Sequence, residues 1–478
     1  MERNTSGCKV LDYNDDVGSY WVGEFKNSMM NINEFQHILI VGMGKTGHSI
    51  AQYLSNKNIN FSVYDKDQSI QGIRRTLNDA RAINYFSGPL EEEYFLNIDC
   101  VAISPGIDLR SPKLKSIRKK GIPFINDLAI FSQEVDRKKI KIIGVTGTNG
   151  KTTVCTLLEH LFLKAGYKAK AAGNIGLPIL SMNNINELDI IILELSSFQL
   201  EISNQLIFDV GMILNITEDH MDRYDSFNDY ALSKRSILNQ SKNKIINIDD
   251  EVIKNWNIQD AIVFSELIQN KKNAYGIKKE NKKTYIVDDL NTKINISDIN
   301  LIGKHNQLNV MAVIAVFKVF DHKFIDIEGV LKGFPAINNR LERVAEINGI
   351  IFYNDSKATN VASAIAAINS FEGKNIFLIA GGDSKSQDLT LLYDCVKSSV
   401  SGMYLIGKDA LLLKNACRNI KKIEIKILGT MKEAVQLAFN DANSGDIILL
   451  APACASYGMY KNYIERGDDF KSIVSSLV

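Results

Sequence analysis

The run Lys141–Thr153, KIIGVTGTNGKTT, leaves this chain few folds to choose from. Apolar, largely β-branched residues lead into a Gly-rich turn. Lys151, Thr152 and Thr153 follow, and then the helical pattern VCTLLEHLFLKAG. A strand, a glycine turn and a helix N-terminus in that order make a phosphate cradle, because backbone N–H groups point outward and glycine lets the chain approach an anion closely. The strict spacing G-x-x-x-x-G-K-[ST] would need glycine where Val145 stands. The loop is the shorter T-G-T-N-G-K-T, built on Gly147 and Gly150. Lys151 is expected on the β- and γ-phosphates and Thr152 on a Mg²⁺ ion. ATP is therefore the expected nucleotide, held by Gly147, Thr148, Asn149, Gly150, Lys151, Thr152 and Thr153.

A chain of 478 residues has room for three domains at roughly 150 residues each. Its net charge of +1 provides no bulk field for nucleic acid or an anionic membrane. No apolar run approaches the ~20 residues that span a bilayer. Six cysteines lie scattered without metal-ligand spacing, which fits free thiols in a reducing cytoplasm. Residues 1–35 are polar, lack a signal-peptide core and are expected to be a loosely ordered extension, with Met29 or Met30 as an alternative start.

Three α/β blocks follow. The first holds the strand candidates HILIV, NFSVYD, DCVAI and IPFIND. The second begins at KIIGVTG and continues through DIIILE and VGMILN. Between about 242 and 300 it turns into short Lys/Asn-rich pieces that read as a β excursion from the main sheet. The third, from near Pro335, holds IIFYND, NIFLIAGG, GMYLIG and DIILLAPA. Strands alternating with helices predict parallel sheets. The expected divisions are 36–133, 134–336 and 337–478.

Open α/β sheets bind ligands beyond the carboxyl ends of their strands. In the second block those ends carry the phosphate loop, Glu194, and the run Glu218–His220. Glu194 has the place of a carboxylate that holds Mg²⁺. In the first block Gly42, Gly44 and Gly47 form G-x-G-x-x-G, with Asp65 ending the next strand, so a second phosphate-bearing ligand is expected there. In the third block NDSKATN, GGDSKSQD and PACASYGMYKNYIERG occupy three strand ends and supply Lys357, Thr359, Lys385 and Ser456. Cations and hydroxyls at such positions suit a small carboxylate. Spacing alone does not single out Lys234.

Together the segments GMGKTG, SPGI, TGTNGKTT, GNIGLP, LELSSFQLE, NITEDHMDRY, KHNQLN, NRLERV, NDSKATN, GGDSK and APACASYGMYKNYIERG resemble the Mur ligase family, in its D-glutamate-adding branch. The likeness spans about residues 36 to 478. It implies a UDP-binding first domain, a central ATP-binding domain with a small β extension, and a Rossmann-like third domain. It also implies an ATP-dependent amide ligation through an acyl phosphate, between UDP-N-acetylmuramoyl-L-alanine and D-glutamate.

Carried across, Lys151 faces the transferring phosphoryl group, and Thr152 with Glu194 hold one Mg²⁺. His220 and Lys234, the latter as a carbamate, hold a second. Asn306 and Asn309 read adenine, while Arg340 and Asp355 reach the γ-phosphate and ribose. Lys357 is placed among the catalytic cations. Thr359, Lys385, Ser456 and the backbone near Tyr463 hold D-glutamate. Lys45, Thr46, Asp65, Ser104 and Asn174 contact the UDP substrate. The family often has a basic residue after Asp65; here Lys66 is followed by Asp67, and the N-terminal extension has no family counterpart. The competing readings are another Mur-type or folylpolyglutamate-type ligase, a non-catalytic nucleotide switch, and a dehydrogenase. The front G-x-G-x-x-G block argues against the folylpolyglutamate type, and the joint presence of Lys151, Glu194, His220 and Arg340 argues against a switch. A cytoplasmic monomer is expected, with no nucleic-acid partner and no stable membrane insertion.

Overall fold

A computed structural model describes residues 31–77, 81–174, 176–202, 206–269, 271–320 and 326–477. The extension expected over 1–35 lies outside the described residues up to residue 30. The last part of it is anchored at Ile32, while Asn31, Asn33 and Glu34 are exposed. Ile32 is buried in the first core, and its N–H donates to Gln133 Oε1 at 2.8 Å, so an apolar side chain and a polar clasp fasten residues 31–35 to the domain.

The protein has three domains, each built on its own sheet. The first sheet joins β1 (His37–Val41), β2 (Asn60–Asp65), β3 (Ala82–Ser87), β4 (Cys100–Ile103) and β5 (Phe124–Ile125) in the order β3-β2-β1-β4-β5, all parallel. The chain reverses its winding at β1, and there the Gly-rich turn emerges. Gly42 has φ +92°, and a Cβ on it would meet Ile107 and Ser104. A Cβ on Gly47 would lie 2.0 Å from the Gly42 carbonyl. The first glycine makes the tight turn and the third lets the helix Lys45–Asn56 sit against it.

The central sheet runs through β6 (Lys141–Thr146), β7 (Ala169–Gly173), β8 (Ile190–Glu194), β9 (Phe208–Ile213), β10 (Ser241–Asn247), β11 (Ile262–Phe264), β12 (Ala274–Glu280), β13 (Lys283–Asp288) and β14 (Lys293–Asn295). Their order is β14-β13-β12-β11-β10-β9-β6-β8-β7. The segment expected to leave the sheet instead extends it: β10, β11 and β12 continue the parallel pairing, and only β13 and β14 turn antiparallel. Strand β6 sits between β8 and β9, so the phosphate loop opens at the point where winding reverses. The helices Lys151–Lys164 and Lys304–Phe320 cover one face, with Phe162 and Phe317 rings 5.2 Å apart. The helix Phe227–Asn239 covers the other.

The third sheet orders β15 (Glu342–Ile347), β16 (Ile350–Asn354), β17 (Ile376–Gly381), β18 (Val400–Ile406), β19 (Glu424–Ile427) and β20 (Ile447–Leu450) as β15-β16-β20-β17-β18-β19. Only β15 is antiparallel. Because β20 inserts between β16 and β17, the three polar loops at their carboxyl ends become neighbours. No helix among the described residues is long and apolar enough to cross a membrane.

Candidate active site

The carboxyl edges of the central and third sheets face one another across a cleft of about 760 Å³. On the central side, Gly150 takes φ +85°, and a Cβ there would lie 2.6 Å from Asn309 Oδ1, so glycine is required at this turn. The loop is braced from behind. Asn215 accepts from the Asn149 N–H at 2.8 Å and donates to its carbonyl at 3.1 Å. Thr148 Oγ1 donates to the Thr217 carbonyl at 3.0 Å and lies 2.9 Å from the Tyr230 hydroxyl.

Lys151 folds back over its own loop, donating to the carbonyls of Gly147 and Thr148 at 2.7 and 2.8 Å. Burial lowers its pKa, opposed by the nearby Glu194 and Asp219. Thr152 Oγ1 donates to Glu194 Oε2 at 2.8 Å, and Asn174 Nδ2 donates to Glu194 Oε1 at 3.3 Å. Glu194 is 3 % exposed at the end of β8. A buried carboxylate beside a hydroxyl, open to the phosphate loop, is a donor set that suits a hard cation. Among the described residues no group of three or more acidic, histidine or cysteine side chains stands together as a metal cage.

Lys234 does not line the cleft. It lies beneath the loop, 2 % exposed, with Nζ donating to the Gly147 carbonyl at 3.1 Å and sitting 4.8 Å above the Tyr230 ring. Burial, reinforced by Lys151, pushes its pKa well below the usual lysine value. His220 occupies a left-handed turn, φ +58°, beside Asp219. Burial lowers its pKa to about 4, so the ring is neutral at pH 7.

Asn306 and Asn309 line the cleft from the helix Lys304–Phe320, Asn309 Nδ2 donating to Asn306 Oδ1 at 3.1 Å. From the third domain come Arg340, Asp355, Lys357, Thr359, Lys385, Ser456 and Tyr463. Burial raises Asp355 to about 7 against the pull of Arg340, and burial lowers Lys357 to about 8. Lys357 Nζ stands 4.0 Å over the Tyr463 ring. Lys385 reaches back to Asp219 at 3.4 Å.

Among the expected UDP-substrate residues, Asn174 joins this cleft. Lys45 lines a separate, more open hollow of about 530 Å³ with Gly44, His48 and Gly176. Thr46 is half-buried in the first turn of the same helix. Asp65 uses its carboxylate on the N–H groups of Met43, Asp67 and Gln68. Ser104 is buried and donates to the Gly42 carbonyl at 2.6 Å, beneath the glycine turn.

Residues 36–126, 145–317 and 339–454 match, in order, the Mur ligase MurD-like N-terminal domain, the Mur ligase middle domain and the Mur ligase glutamate ligase domain. The UDP-N-acetylmuramoylalanine--D-glutamate ligase of Nitrosomonas europaea is 36% identical over 451 residues, covering 91% of this chain and 95% of that protein. This chain belongs to the Mur ligase family. The enzyme of the same name from Haemophilus influenzae is 34% identical over 451 residues, covering 94% of this chain and all of that protein. Two Mur ligases of Thermotoga maritima share the fold: MurF in complex with ADP (TM-score 0.58, 16% identity, 88% of this chain and 96% of that one) and MurC (TM-score 0.57, 16% identity, 92% and 100%).

Two polar residues escape sequence reasoning, of which Asn360 lines the cleft and Arg466 does not. Asn360 bonds both Asn149 and Asp219. Arg466, 1 % exposed, ties the three polar loops together through Ser356, Gly381 and Cys454. Only their position within the quoted motifs marks them, because a polar side chain in a loop or on a helix reads as solvated until the packing is known.

Proposed function

We propose that this Mur ligase joins D-glutamate to UDP-N-acetylmuramoyl-L-alanine, forming ADP and phosphate. The reading is supported above all by one observation: the phosphate loop, the Thr152–Glu194 pair and the three polar loops of the third domain, two of them carrying Lys357 and Lys385, open onto a single cleft. A carboxylate is a poor acylating agent at neutral pH. The L-alanine carboxylate therefore attacks the γ-phosphorus of ATP, ADP leaves, and an acyl phosphate results. The D-glutamate amine attacks that carbonyl, phosphate leaves, and an amide forms as the amine loses its proton. Such chemistry needs positioning and charge neutralisation more than a protein nucleophile.

In this reading Lys151 neutralises the phosphoryl group in flight. Arg340 does so from the opposite wall. Lys357, near its pKa at neutral pH, and Lys385 orient carboxylates, with Thr359, Ser456 and the backbone at Tyr463 setting the shape of the amino-acid pocket. Asn306 and Asn309 face adenine, and Asp355 the ribose. Lys45, Thr46, Asp65, Ser104 and Asn174 mark the UDP side. Thr152 and Glu194 would hold Mg²⁺, which would supply positive charge to offset that of the phosphates. For a second ion, His220 offers a neutral ring nitrogen. Lys234, whose pKa burial pushes well below the usual lysine value, offers an amine able to add CO₂ with loss of a proton, yielding an oxygen donor. The cleft is completed within one chain, which supports a monomer. The UDP-linked substrate and the free thiols support a cytoplasmic enzyme.

The test is ADP release by the purified protein with ATP, Mg²⁺, UDP-N-acetylmuramoyl-L-alanine and D-glutamate. Release must require both acceptor and amino acid. Turnover with L- but not D-glutamate overturns the substrate assignment.

A further inference from the structure

We propose that Arg223 is a positioning residue that locks the loop after β4 to the turn carrying His220, so that filling the UDP side of the cleft sets the reacting side; the proposal rests on the reading above.

The local chain dictates the first half of this link. His220 takes φ +58°, its N–H donates to the Asp219 carboxylate at 2.9 Å, and its carbonyl accepts the Arg223 N–H at 2.8 Å. That closed turn fixes Arg223 relative to His220. The guanidinium then leaves the central domain. Its two terminal nitrogens donate to successive carbonyls of the first domain, Gly106 at 2.8 Å and Ile107 at 2.9 Å. The planar fork matches two oxygens at once, and its face lies 4.5 Å over the Phe198 ring. Phe198 also carries His220 edge-on at 5.1 Å. Arginine, phenylalanine and histidine therefore pack as one block.

The second half of the link is the loop itself. The Ser104 N–H donates to the Val41 carbonyl at 3.0 Å, Ser104 Oγ holds the Gly42 carbonyl, and Ile107 packs where a Cβ on Gly42 would stand. The loop is thus part of the glycine turn that ends β1. A ligand seated on that turn would lie against the loop whose two carbonyls Arg223 grips. No other side chain from the central domain holds those two carbonyls among the described residues.

Arg223→Lys keeps the charge but offers one compact donor, which cannot serve both carbonyls. The expected result is a rise of about tenfold in KM for the UDP substrate with a several-fold fall in kcat, while KM for ATP and for D-glutamate stay within about twofold. In the ligand-free protein, amide hydrogen exchange over residues 104–110 should accelerate, and that of β6 and the phosphate loop should not. Wild-type exchange over 104–110 in the variant overturns the brace. So does an equal rise in all three KM values accompanied by a lower melting temperature, which marks general destabilisation. If the wild-type protein shows no ligase activity, the functional reading falls, while the exchange measurement still decides the brace.

Discussion

Asn149 of the phosphate loop and Asn360 of the third domain exchange amide hydrogen bonds of 3.3 and 3.0 Å across the cleft. Asn360 is 2 % exposed and also donates to Asp219 at 3.3 Å, while its Oδ1 caps the helix Val361–Ile368 by accepting from the Ser363 N–H at 2.9 Å. The same amide therefore ends a helix and fastens two domains. Inter-domain contacts of this polar kind open and close readily.

Asn360→Asp separates those duties. Aspartate caps a helix as well as asparagine, so melting should change little. Its carboxylate cannot donate to Asp219 and faces it with like charge. Turnover should fall by about tenfold or more, equivalent to roughly 1.4 kcal/mol, through a less populated closed form. Steady-state kinetics with a parallel melting curve check this; a matched loss of both stability and activity would contradict it.

Lys151→Ala tests the phosphate loop. In the proposed reaction the side chain would place charge where charge develops, and among the described residues its hydrogen bonds go to the loop carbonyls of Gly147 and Thr148. Turnover should drop by about 10²–10³, with the far-ultraviolet circular dichroism unchanged. A variant retaining normal turnover removes Lys151 from the reaction.

Much of this architecture is legible in the chain because buried parallel strands are written as unbroken apolar runs. β1, β8, β17 and β20 all end where such a run meets a polar loop. Strand β3 is not legible: AINYFS lies at a sheet edge with none of its residues buried and the adjacent Ile83 and Asn84 exposed. Strand β7, AKAAG, is too poor in β-branched residues to announce itself. The strand ends revealed which loops converge. They did not reveal the depth of side chains. Lys234 sits in an ordinary amphipathic pattern yet lies under the phosphate loop, and Arg466 on a charged helix is the largest fully buried side chain among the described residues. Family resemblance marked Lys234; spacing could not.

Asp355 supplies a pH signature. Burial raises its folded-state pKa to about 7, above the 3.8 of an unperturbed aspartate. The folded protein thus binds this proton more tightly than the unfolded chain. Its contribution is fully favourable below the unfolded value and is lost as pH rises through about 7. Asp355→Asn should make the melting temperature less dependent on pH between 5 and 8, with the variant gaining on wild type toward pH 8. Parallel melting curves that keep a constant offset across that range would rule the effect out.

The turn that presents Arg340 is the last test. Its neighbours Asn339 and Leu341 both sit at positive φ, +61° and +43°. For leucine this is a strained conformation, held here because its side chain is 7 % exposed in the third domain's core. Asn339 tolerates the left-handed region and adds a buried network. Its Oδ1 accepts from Asn354 Nδ2 at 2.8 Å, its N–H donates to Glu342 at 2.9 Å, and its carbonyl accepts the Lys357 N–H at 3.2 Å. One residue therefore sets the backbone of both Arg340 and Lys357. Asn339→Ala adds a left-handed penalty of roughly 1 kcal/mol and strips Asn354 of a partner, for a total of about 2–3 kcal/mol. Asn339→Gly removes the penalty and keeps only the second loss. KM for ATP should therefore rise in both variants and melting should fall further in alanine than in glycine. Against the same network, Gly467→Ala would place a Cβ 1.8 Å from Asn339 Oδ1 and 3.0 Å from Asn354 Nδ2. Its damage should vanish in large part when Asn339 is already glycine, because the clashing oxygen is gone. Additive losses in that double variant, read by melting and by KM for ATP, would show that the two residues do not share one network.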